Sequence, residues 1–139
     1  MQEQTLATKR FRAQDCQLAI SKLRAGRVLI VLEGRDLGQL GAEPFRELEK
    51  SLEPSGPVEL FFDLRGALGA TLEASGSWAV WLRRNQQRLR RVSLLTAQPV
   101  IALSAKAVVR FALLGEKARI YADAAAFDSA LLTASRSWS

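Results

Sequence analysis

The chain has 139 residues, with 20 Lys and Arg against 14 Asp and Glu and a formal net charge of +6 at neutral pH. That length suits one domain, and 48% hydrophobic with 24% charged residues is the composition of a globular chain, not a disordered one. A single cysteine excludes an internal disulfide and a cysteine-rich zinc site, and the lack of any histidine excludes Ser-His-Asp and Cys-His catalysis, histidine metal ligation and histidine phosphotransfer.

Residues 1–14 are polar and mixed, with Lys9, Arg10 and Arg12 close together. They are expected to form a flexible N-terminal segment, or a weak lead-in strand, ahead of a domain over 15–135. Met1-Gln2-Glu3-Gln4 lacks the basic-then-apolar layout of a secretory signal, and no apolar run approaches the roughly 20 residues that span a bilayer. A cytoplasmic location is therefore expected. Cys16, Leu18 and Ile20 alternate with Gln17, Ala19 and Ser21, which predicts a strand over 16–23 with one buried face. After a turn at Gly26, the apolar run 27–33 predicts a second, central strand, antiparallel to the first. A loop from Gly34 to Gly41 precedes a short amphipathic helix with Pro44 in its first turn and Phe45, Leu48 and Leu52 inward. The segment 54–57 ends it, and 58–64 reads as another central strand.

Residues 65–75 are rich in Gly and Ala and predict a loop, with Ser75 as N-cap of the following helix. That helix carries Trp78, Trp81, Leu82 and Leu89 on a buried stripe and most of the arginines between Arg83 and Arg91 elsewhere. A short strand over 92–96 follows, and Pro99 opens the next helix. Here Ile101, Ala105, Val108 and Ala112 form one apolar stripe, and Val100, Leu103, Ala107, Phe111 and Leu114 another, so broad cover is expected. Gly115 is placed to end it. A strand at 118–122, an N-cap at Asp123 and a last helix with Phe127, Ala130, Leu131 and Ala134 inward complete the order, and 136–139 should fray. Strands alternating with helices after an opening hairpin predict an α/β domain: a mixed, mostly parallel five-stranded sheet covered by about four helices.

Little in this order carries chemistry. The glycines at 34, 38 and 41 follow a strand but lack Gly-Lys-Ser/Thr and the dinucleotide-binding spacing. Asp63 and Glu73 could converge at the carboxyl edge of the sheet, yet two carboxylates make a thin metal site, and the plainer role for Asp63 is to bond the next loop. Cys16 reads as a buried structural thiol. Arg84, Arg88 and Arg91 are candidate contacts for an anion or a lipid head group. No aromatic is interleaved with them for base stacking, so nucleic acid is disfavoured. No catalytic residue, metal site or cofactor is assigned.

Three local patterns resemble the STAS domain family, whose best-known members are anti-sigma-factor antagonists. Residues 28–37 look like the family's second strand running into a glycine turn. Residues 58–64, then Glu73-Ala74-Ser75-Gly76, resemble its strand followed by Asp-Ser-Ser-Gly at a helix start. Residues 97–114, 120–123 and 127–131 are similar to its last strand-helix-strand-helix. The resemblance implies a single STAS-like domain and a non-catalytic regulatory role, signalling through a protein partner of kinase-like or anti-sigma type. It places the partner surface at Gly34, Arg35, Asp36, Glu73, Ser75 and Gly76. Ala74 stands where the family's phosphorylated serine would be and Glu73 replaces the aspartate, so the motif is degenerate and the usual switch cannot operate there. A STAS-like branch proposed to bind lipid lacks that serine too, which makes a small apolar-ligand or lipid-binding module the alternative reading.

Overall fold

The computed structural model describes residues 5–52 and 56–133. Its elements in chain order are β1 (Thr5–Ala13), β2 (Cys16–Leu23), β3 (Arg27–Asp36), α1 (Glu43–Ser51), β4 (Val58–Asp63), β5 (Ala67–Ala70), α2 (Leu72–Arg84), β6 (Leu89–Leu95), α3 (Pro99–Phe111), β7 (Ala118–Tyr121) and α4 (Ala124–Thr133). They build one seven-stranded sheet in the order β1-β2-β3-β4-β6-β7, with β5 pairing the far end of β3. The hairpin β2-β3 is antiparallel, and β4, β6 and β7 are added in parallel. The apolar runs of β3 and β4 lie at the centre, where strands are covered on both faces.

Alternation assigns the faces. Leu60 and Phe62 of β4, with Val92 and Leu94 of β6, join Leu48 of α1, Leu82 of α2 and Ile101 of α3 in the larger core. Phe61 and Leu95 point the other way and pack with Phe127 of α4. Three helices thus cover one face and α4 covers part of the other. Asp123 caps α4 as expected, its Oδ1 accepting from the Ala125 N–H at 3.0 Å. At the other end Arg27 is buried and donates to the carbonyls of Arg24 and Leu131, tying the last turn of α4 to the sheet.

Several expectations need correction. The sheet has seven strands, not the five expected: β5 was not anticipated, and the residues expected to be flexible or at most a weak lead-in strand supply β1. Residues 5–13 are not a loose segment: β1 pairs along β2, from Thr5 opposite Leu23 to Ala13 opposite Cys16. The supposed loop at 65–75 holds β5 and the first turn of α2. Ser75 is therefore inside the helix; Thr71 is the N-cap, its hydroxyl accepting from the Ala74 N–H at 3.1 Å. β6 starts at Leu89, so Arg90, Arg91 and Leu89 itself lie on a strand and not on the tryptophan-bearing helix. α3 buries only its first stripe. It ends before Gly115, in a turn with Leu113 at φ +57°, where Leu114 N–H donates to Val109 and Leu113 N–H to Arg110. Ala134 and the fraying expected at 136–139 lie outside the described residues, as does the first half of the 54–57 terminator.

Candidate functional site

The site is built where β3 runs out. Gly34 has φ +88° and sits under the β1-β2 turn, where a Cβ would lie 2.0 Å from the Asp15 carbonyl oxygen. That closeness lets Arg35 N–H donate to the Asp15 carbonyl at 2.7 Å, and Gly34 N–H donates to Gly66 at 3.0 Å. Gly34 is thus a steric requirement of the fold, and it is half-buried. Asp36 ends β3 and is buried. Its Oδ1 accepts from Gly38 N–H and its Oδ2 from the Trp78 indole Nε1, both at 3.0 Å. The same aspartate therefore shapes the glycine loop and fixes α2. Gln39 completes the loop by donating to the carbonyls of Gln14 and Arg35.

Between that loop and α2 lies a groove of about 690 Å³. Leu40, Pro44 and Phe45 form one wall, and Gly76, Val80 and Arg84 line the other. Trp78 packs at a tilt against Phe45 at 4.7 Å between centroids and meets Phe62 edge-on at 5.5 Å, which gives the groove an aromatic floor. Trp81 also lines the groove and is buried, and its indole N–H has no hydrogen-bond partner. Glu73 sits exposed in the first turn of α2 at the groove's rim, favourably placed against the positive helix end.

The structure brings some of the sequence-predicted residues together and separates others. Asp36, Glu73, Gly76 and Arg84 share the groove. Ser75 faces the opposite side of α2 and lines a second void, and Arg35 is exposed on β3 beside Gly69. The arginines do not form one cluster. Arg88 pairs with Glu49 at 3.2 Å, and Arg91 pairs with the buried Glu59 at 3.7 Å on β4. Arg84 alone of the three has no ionic partner among the described residues. Sequence reasoning missed Leu40, Pro44 and Phe45 as a wall, because they read as a loop and a helix start with only a core role. It also missed Thr71, because a β-strand was not expected so close to α2.

The second void lies between the sheet, α2 and α3, is almost wholly apolar, and measures about 80 Å³. Elsewhere the titratable groups have structural roles. Asp63 accepts from Arg65, at 3.1 Å from its N–H and at 3.0 and 2.7 Å from its guanidinium. Burial pushes this carboxyl up, but the hydrogen bonds and charge of Arg65 outweigh it and hold it below the ordinary range. Cys16 is buried and pushed up by desolvation and by the Asp36 charge, which makes it a poor nucleophile. No group of three or more metal-ligating side chains occurs among the described residues.

No protein-family model matches the chain, and no curated protein matches it significantly. Several solved structures do, the following two among them. An uncharacterised protein of the DUF3478 family with a SpoIIAA-like fold, from Shewanella loihica PV-4, superimposes at a TM-score of 0.59 with 13% identity, over 93% of this chain and 94% of that one. An anti-sigma factor antagonist from Mycobacterium paratuberculosis superimposes at 0.53, also with 13% identity, over 89% of this chain and 97% of the other. At such identity the likeness concerns the fold, and the fold is of STAS type.

Proposed function

We propose that the protein is a non-catalytic regulatory module that binds a partner protein through the groove between the glycine loop and α2. The observation that carries this reading is the groove itself, which gathers Asp36, Glu73, Gly76 and Arg84 around aromatic walls. Arg84 and Glu73 at the rim would set register and choice of partner. The solved antagonist of the same fold points to an anti-sigma-type or kinase-like protein as the class of partner. Pull-down from host lysate, comparing wild type with Gly76→Tyr and Arg84→Glu, tests it. Both positions are exposed, so the variants should stay folded and lose the partner. Full retention by both would overturn the reading.

The void beneath α2 and α3 supports a second reading, a small apolar ligand. At about 80 Å³ it is roughly half the size of a cavity that takes benzene, so a few carbons fit and an acyl chain does not. Native mass spectrometry of the purified protein distinguishes the two: a bound small mass favours the second reading, bare protein the first.

A further inference from the structure

We propose that the outer face of α3 docks on the surface of an anionic lipid bilayer. The helix carries two apolar stripes and the fold uses one. Ile101 and Ala105 on the inner stripe, and Ala112 at the helix end, are buried against the sheet and α2. On the outer stripe Val100, Leu103 and Phe111 are 64%, 68% and 70% exposed, with the exposed Ala107 between them. These positions are i, i+3, i+7 and i+11, so they line one face along the whole helix. Leu113, just past its end, extends the apolar surface.

The border of that face is cationic. Lys106 and Arg110 are exposed beside the stripe, and neither has an acidic partner among the described residues. No aspartate or glutamate occurs anywhere in α3. Apolar anchors flanked by lysine and arginine are the pattern of a helix that lies in the interface of an anionic membrane, with long cationic side chains reaching the head groups. With 13 residues the helix is too short to cross a bilayer, and no helix among the described residues is long and apolar enough to do so. The net charge of +6 would draw the whole molecule toward such a surface.

Charge also decides against the other occupants. Two copies packed through this face would bring Lys106 and Arg110 against their own equivalents, with no acid on either helix to offset them. A peptide segment needs a groove, whereas one helix face is convex. A bilayer yields around a convex face and supplies negative charge along its full length.

The test is co-sedimentation of the purified chain with phosphatidylcholine vesicles, with and without phosphatidylglycerol. Binding is expected only to the anionic vesicles and should weaken as salt is raised. Leu103→Ser with Phe111→Ser, and separately Lys106→Glu with Arg110→Glu, should each weaken it about tenfold or more. All four side chains are exposed, so melting by circular dichroism should move little, which separates loss of docking from loss of fold. The groove variant Gly76→Tyr should bind vesicles like the wild type, so this inference and the partner reading can fail independently. No binding of the wild type to anionic vesicles would overturn the inference. Unchanged binding by the Leu103/Phe111 variant would overturn it too, as would a wild-type dimer that this variant dissolves.

Discussion

Trp78 Nε1 donates to Asp36 Oδ2 at 3.0 Å, linking residues 42 positions apart at the point where β3 ends and α2 passes over it. The aspartate is buried, and its other oxygen holds the glycine loop. Hydrogen bonds to a charged group contribute about 1.5–3 kcal/mol. Asp36→Ala should therefore destabilise by about 2–3 kcal/mol in urea unfolding. Trp78→Phe should cost less. The double variant should fall short of the sum, since the two share one bond. Strict additivity would mean that the bond contributes nothing.

Two glycines of the site should respond in opposite directions. Gly34→Ala places a methyl on the Asp15 carbonyl and strains a positive φ, so it should lower the melting temperature sharply or prevent folding. Gly76 lies inside α2, with nothing within 4 Å of an added Cβ. Gly76→Ala should stabilise the helix by about 0.5–1 kcal/mol, as read by thermal melting.

Leu113 adopts φ +57° in the turn that ends α3, a conformation that costs a residue with a side chain about 1–2 kcal/mol. Its side chain is largely exposed, so little packing would be lost on removal. Leu113→Gly should raise stability by about 1 kcal/mol. A lowered denaturation midpoint would show that the side chain has a contact role.

The Asp63–Arg65 pair gives a pH dependence. The carboxyl titrates below its unfolded value of about 3.9, so its contribution is fully present above that pH and is lost as pH falls through the folded value. Arg65 is half-exposed, which limits the effect to at most about 1 kcal/mol. Acid titration of stability should be shallower in Asp63→Asn than in the wild type, and the gap between the two should close as the pH falls through the folded value of Asp63.

What was legible followed from strong periodicity. The continuous apolar run at 28–32 and the mainly apolar one at 58–64 forced central strands, and period two in 16–20 forced a half-buried one beside them. β1 was obscured because its outer edge is solvated, so cations replaced the hydrophobic pattern that marks a strand. β5 was obscured because it is four residues of Ala, Leu and Gly, held by pairing with β3 and not by its own propensity. That missed strand moved the start of α2 and with it the assignment of the cap from Thr71 to Ser75. At the site, Asp36, Glu73 and Gly76 were within reach of the sequence because they flank a turn and a helix start. Arg88 and Arg91 were misgrouped, because their partners Glu49 and Glu59 come from distant elements.

The open side of β1 has a consequence for how these molecules meet. Among the described residues it is the long unpaired edge of the sheet, and such an edge invites a strand from another chain. Here Lys9, Arg10 and Arg12 are exposed along it, so a second copy arriving edge to edge would set cation against cation. The opposite edge, β7, offers only four residues and an exposed Arg119. Growth of the sheet from chain to chain is therefore blocked at both ends. A concentrated solution should stay free of ordered strand-on-strand fibres without any helix or loop having to cover those edges.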